Sequence, residues 1–176
     1  PRTATWLRDL LLIVFGSLFV AALAQVEIPL PFTPVPITGQ TFGVLIIGAA
    51  LGSKRGALSL ALYLAEGIIG LPFFAGGAHG LSVVIGATGG YLIGFIAAAY
   101  IIGLLAERGL ERNARTSFIP FLAGTVIIYA CGITWLSVVL GSFSKAVALG
   151  MVPFLIGDVI KLLAAAVALP AAWKIV

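Results

Sequence analysis

Asp158 and Lys161 stand three residues apart in Pro153-Phe-Leu-Ile-Gly-Asp-Val-Ile-Lys, within an otherwise apolar run. Read as part of one membrane helix starting at residue 149, the two charges lie roughly 12 to 18 Å in from its start. Ionisable groups at that depth mark a site by default. A spacing of three puts both on one helix face, acid before base, which is the favourable order. The carboxylate accepts hydrogen bonds and the ammonium donates them. Together they suit a neutral polar group with adjacent donors and acceptors, such as a ureido or amide, or an anion held through the lysine. The alternative is a structural pair that neutralises itself and fixes helix rotation.

The rest of the chain has to hold that pair in place. The sequence has 176 residues, is 61% hydrophobic and only 9% charged, and is read as an all-α integral membrane protein. Its net charge of +4 comes from basic residues clustered between apolar runs, which set topology and do not call for nucleic acid. Apolar periodicity and breaks predict six transmembrane helices at about 6–25, 38–53, 55–71, 81–106, 117–140 and 149–173, forming a single domain. The first run is expected to be a retained helix and not a cleaved signal peptide. Arg2, Arg8, Lys54, Arg55, Arg108, Arg112, Arg115 and Lys174 then share one face, opposite Lys145. That asymmetry places both termini in the cytoplasm.

On the outer face, Pro29, Pro31, Pro34 and Pro36 forbid a helix and alternate with apolar residues. Such a strap, centred on Pro34, Val35 and Pro36, is either a lid over a cavity or an ordinary connector. Gln40 and Thr41 follow, at the start of the second run. Glu66 near the end of the third is expected to be solvated, with the cavity mouth as the alternative. His79, the only histidine, sits in a glycine-rich loop without Cys, Asp or a second His nearby, so no metal site is expected. Gly86, Gly90 and Gly94 recur at intervals of four and predict close helix packing, with Tyr91 and Thr88 beside them. Trp135 is either an interface-belt residue or a stacking surface. Cys131 has no partner cysteine.

No Gly-x-x-x-x-Gly-Lys-Ser/Thr loop occurs, and a single histidine leaves little room for a nucleophilic triad. The sequence is therefore read as a non-enzyme that does not itself hydrolyse ATP. A proton-coupled carrier using Asp158 and Lys161, or a structural membrane factor, remains compatible with the residues alone.

Four separated motifs narrow the choice: Val35-Pro-Ile-Thr-Gly-Gln-Thr41, Gly67-Ile-Ile-Gly-Leu-Pro-Phe-Phe-Ala-Gly-Gly77, Thr88-Gly-Gly-Tyr-Leu-Ile-Gly-Phe95, and Pro153-Phe-Leu-Ile-Gly-Asp158 with Lys161. From about residue 25 to the end the chain resembles the BioY family, the biotin-binding S-components of energy-coupling factor (ECF) transporters. The resemblance implies a six-helix protein of the prokaryotic plasma membrane that captures biotin from outside. It also implies a transmembrane T-component and two ABC-type ATPases as partners, with biotin as transported ligand and no cofactor. Carried over by motif, Asp158 and Lys161 bind the polar groups of biotin, and an S-component for another small vitamin is the alternative. Tyr91 is a wall or hydrogen-bonding residue, Gln40 and His79 contribute to binding, and the Pro-rich loop is the lid. S-components often carry Ala-x-x-x-Ala on the first helix for docking the T-component. Here Ser17-x-x-x-Ala21 keeps the small-residue logic of packing or docking.

Overall fold

The computed structural model describes residues 2–110 and 116–173, with side chains for 5–110 and 116–171. Helix α1 (Arg2–Ala24) leads into a two-residue ladder, β1 (Glu27–Ile28) against β2 (Ile37–Thr38). The pairing is antiparallel, Glu27 opposite Thr38 and Ile28 opposite Ile37. Residues 29–36 thus form the loop of a short hairpin. Its prolines withhold backbone donors, so the ladder cannot extend into it.

Helix α2 (Gln40–Ile68) is continuous only in outline, because Gly52 adopts φ 80°, ψ 177°. That region is open almost solely to glycine. It turns the chain back on itself, giving arms 40–51 and 53–68. Gln40 Nε2 lies 2.6 Å from the Tyr63 hydroxyl, 23 residues away; a straight helix would separate them by about 34 Å. The glutamate after α4 stabilises the bend, since the Glu107 carboxylate accepts from both Ser53 N and Ser53 Oγ at 2.7 Å. A carboxylate at the start of the 53–68 arm also meets the positive end of its dipole.

The predicted fourth span is broken. A short α3 (Leu81–Ile85) stops at Gly86, and α4 (Gly89–Ala106) begins three residues later. Gly86 is extended there, and its carbonyl accepts the Trp135 indole N–H at 2.8 Å. The expected glycine row therefore loses Gly86. Gly90 and Gly94 do serve the predicted close approach, against α5 (Phe118–Leu140): a Cβ on Gly90 would overlap Trp135, and one on Gly94 would stand 3.0 Å from the Cys131 Cβ.

The predicted last span is also divided. Helix α6 (Phe143–Gly150) and a 3₁₀ turn at Val152–Phe154 precede α7 (Leu155–Trp173). Pro153 has no N–H to continue a helix from residue 149 and suits an initiating turn instead. Asp158 is accordingly in the first turn of α7, about 5 Å from its start, and Lys161 about 9 Å.

Among the described residues five helical runs are long and apolar enough to cross a membrane, one being the folded-back Gln40–Ile68 and another Phe143–Ala171. Counting the two arms separately gives six crossings. The interior mixes large residues with small ones, Phe121, Ile102 and Leu136 being fully buried beside Ala98, Ala99 and Ala165, while Trp6, Leu11, Phe15, Val138 and Ile156 point outward. Large apolar residues exposed along the helices are the pattern of a bundle solvated by lipid.

The two ends differ in charge. Arg55 pairs with Asp9 at 2.9 Å, and Glu107 meets Ser53, so Arg8, Lys54, Arg55 and Arg108 gather at the end where α1 begins. Ser117 Oγ donates to the Ala166 carbonyl at 2.9 Å, which brings the later part of α7 to that end too. Arg112, Arg115 and Lys174 lie outside the described residues, as does the side chain of Arg2. At the opposite end the Pro-rich loop is tied down, Thr33 Oγ1 donating to the Leu149 carbonyl at 2.7 Å, and Gln25 Nε2 reaches the carbonyls of Pro72 and Phe74 at 3.4 Å.

Candidate functional site

Beneath those loops lies a cavity of about 220 Å³. Every element except α1 contributes to its lining, from β1 through α2, α4 and α5 to α7. Phe74, Tyr91, Phe95 and Phe154 give it apolar and aromatic walls, and Asp158, Lys161, Tyr129 and Thr41 a polar cluster. A few convergent polar groups on an apolar wall are what orients a small ligand.

The cluster is built around the Asp158 carboxylate. Lys161 Nζ donates to its Oδ1 at 3.0 Å, and the Tyr129 hydroxyl donates to its Oδ2. Thr41 Oγ1 accepts from Lys161 at 2.9 Å and faces Asp158 Oδ1 at 3.5 Å. Three helices thus meet at one carboxylate. The side chains of Asp158 and Lys161 are only 12% and 20% exposed, so most of their solvation comes from each other and from these hydroxyls. Position in the first turn of α7 adds the favourable end of the helix dipole to the carboxylate. A self-neutralised pair still has donors and lone pairs to spare, because an ammonium offers three N–H groups and a carboxylate several acceptor positions.

Of the other expected residues, Tyr91 presents its ring to the cavity while its hydroxyl is committed to the Gly150 carbonyl at 2.7 Å. Gln40 lines the cavity with its amide held at both ends, Nε2 by the Tyr63 hydroxyl and Oε1 by Thr38 Oγ1 at 2.8 Å. In the Pro-rich loop, Val35 and Pro36 reach the lining and Pro34 points to solvent.

His79 does not reach the cavity. Its exposed ring sits 3.4 Å from the Gly77 carbonyl, and Ala78 lines the wall beside it. Ser17 and Ala21 are buried at 0% and 5% exposure within the chain, where they pack against its own helices. Ser17 Oγ donates to the carboxylate of Glu66, which is partly exposed and does not line the cavity.

Neither Tyr129 nor Thr41 is among the residues expected at the site, Thr41 being placed only at the start of the second run. Their signal was hydrogen-bonding capacity inside a span, where each polar group needs a partner. Which partner was invisible, since Tyr129 and Thr41 are 29 and 117 residues from Asp158.

Fold and cavity together define a multi-pass membrane protein with a ligand-sized chamber under the loops of one end. A solved structure, that of the S-component for biotin from an ECF-type ABC transporter, superposes with a TM-score of 0.83 over 97% of this chain and 93% of that one, at 29% identity. The chain belongs to the BioY family, whose model matches residues 2–176. The biotin transporter BioY of Rhizobium etli is 40% identical over 168 residues, covering 90% of this chain and 89% of the relative. That of Thermotoga maritima is 44% identical over 157 residues, covering 87% and 88%. These relatives are prokaryotic membrane transporters and not enzymes.

Proposed function

We propose that the chain captures biotin at the outer face of a prokaryotic cell membrane as the S-component of an ECF transporter, working with a T-component and two ABC-type ATPases. The observation that carries this reading is the Asp158–Lys161 pair opening into the cavity with Thr41 and Tyr129 around it. A ureido ring matches that cluster, its two N–H groups donating toward Asp158 and its carbonyl accepting from Lys161. The bicyclic ring and the alkyl side chain of biotin suit the aromatic walls. The end carrying Arg8, Lys54, Arg55 and Arg108 faces the cytoplasm by the positive-inside rule, which puts both termini inside and the cavity toward the outer surface.

Calorimetric titration of biotin into the purified chain in detergent, alongside Asp158→Asn, tests the reading. Tight, stoichiometric binding largely lost in the variant is the expected outcome. A folded wild type that gives no heat at several temperatures would sink it. Uptake by the chain alone, abolished by collapsing the proton gradient, would favour the proton-coupled carrier instead.

A further inference from the structure

The break at Pro153 in the last span frees two carbonyls. In an unbroken helix the Leu149 carbonyl would accept from residue 153, which as proline has no N–H, and the Gly150 carbonyl from Phe154. The Phe154 N–H turns instead to the Met151 carbonyl at 3.0 Å. Two hydroxyls from distant parts of the chain take the freed positions. Thr33 Oγ1 donates to the Leu149 carbonyl and the Tyr91 hydroxyl to the Gly150 carbonyl, each at 2.7 Å.

The two supports differ in stiffness. Thr33 belongs to a loop, whereas Tyr91 is buried in the first turn of α4, its ring so close to Gly132 of α5 that a Cβ there would overlap it. A Cβ on Gly150 would likewise overlap the Tyr91 hydroxyl. Tyr91 is thus a strut between α4 and the end of α6. Met151 follows at φ −131°, ψ −57°, the 3₁₀ turn comes next, and Asp158 stands in the first turn of α7. Three residues wound at three per turn rotate about 60° further than at 3.6 per turn. The face that α7 turns to the cavity therefore depends on how the break is held. Resting on the biotin reading above, we infer that Tyr91 is a positioning residue for biotin. Its hydroxyl acts through Gly150 on the start of α7, and so on the Asp158 carboxylate, and not on the ligand directly.

The test is a double-mutant cycle of Tyr91→Phe and Tyr129→Phe, read by calorimetric titration of biotin in detergent. Tyr91→Phe keeps the ring on Gly132 and removes only the hydroxyl, so the variant is expected to fold. It should weaken binding by about three- to ten-fold, the scale of one hydrogen bond. Tyr129→Phe loosens the same carboxylate from its other side. The double variant should therefore fall short of the product of the two single losses by about three-fold or more, since residues that act on one group are not additive. Losses that multiply would mean that the Tyr91 hydroxyl acts away from Asp158, and no loss in Tyr91→Phe would mean that it positions nothing; either overturns the assignment. Amide hydrogen exchange supplies a readout independent of biotin. Tyr91→Phe should speed exchange over residues 151–160 and leave residues 95–106 as in wild type, and an increase spread evenly over the bundle also overturns the assignment. A folded wild type that binds no biotin overturns the biotin reading itself, while the exchange measurement still tests the strut.

Discussion

The Tyr129 hydroxyl on α5 donates to the Asp158 carboxylate on α7, on the oxygen that Lys161 leaves free. The carboxylate is thus held from both sides before any ligand arrives. Removing the hydroxyl leaves one oxygen with an unmet lone pair in a poorly solvated place and lets the side chain rotate. Tyr129→Phe should weaken biotin binding by about 1 to 2 kcal/mol. Asp158→Ala or Lys161→Ala should cost about 2 to 5 kcal/mol, since each strands a buried charge. Titration calorimetry ranks the three, and a Tyr129→Phe loss larger than both would contradict the carboxylate-centred site.

The hinge at Gly52 makes a separate prediction about stability. Its φ of 80° with ψ of 177° is strained for any residue bearing a Cβ, and such a Cβ would stand 2.8 Å from Glu107 Oε1. Gly52→Ala should destabilise the protein by about 1 to 3 kcal/mol. Thermal unfolding in detergent reads this directly. A melting temperature equal to wild type would mean that the arms do not fold back at Gly52.

Glu107 gives the pH dependence. Its hydrogen bonds from the Ser53 N–H and hydroxyl hold the carboxyl below its ordinary pKa of 4.5, helped by nearby Lys54. A lowered folded-state pKa means that the contribution is complete above the unfolded value and fades as pH falls through the folded one. Glu107→Gln keeps an acceptor oxygen and loses the charge. The melting-temperature gap between wild type and variant should be constant near neutrality and narrow below about pH 4.5. A gap that widens on acidification would reverse the sign and reject the cap.

The sequence was most legible where a single rule governs a long stretch. Apolar run length located the crossings, and the basic clusters around Lys54, Arg55 and Arg108 gathered at one end of the bundle. It was least legible where the backbone leaves a helix for a tertiary reason. Nothing local to Gly86 announces that its carbonyl will take the Trp135 indole, or that Pro153 will start α7 and not sit inside it. The same limit applies at the site. Asp158 and Lys161 were visible because charge is costly in a membrane, whereas Tyr129 and Thr41 acquire meaning only when distant segments meet.

Among the described residues Thr33 supplies the side-chain hydrogen bond that ties the tip of the Pro-rich loop to the far side of the cavity, with Val35 packed in the core beside it. Thr33 Oγ1 donates to the Leu149 carbonyl at 2.7 Å and accepts from Val35 N at 3.2 Å, while Val35 and Pro36 form part of the cavity wall. Four prolines keep the rest of the loop stiff, so releasing this tether should let it swing as a piece without disturbing the bundle. Thr33→Val removes both bonds at nearly constant volume, a loss of about 1 kcal/mol that amounts to roughly five-fold. If the loop is a lid, that factor should appear in the dissociation rate of biotin, with the association rate unchanged or slightly faster because entry no longer waits for the tether to open. Stopped-flow tryptophan fluorescence, with excess unlabelled biotin chasing a labelled analogue, separates the two rates. A change confined to association, or none in either, would leave residues 29–36 as a connector and shift the barrier to ligand escape onto the loop at 75–78.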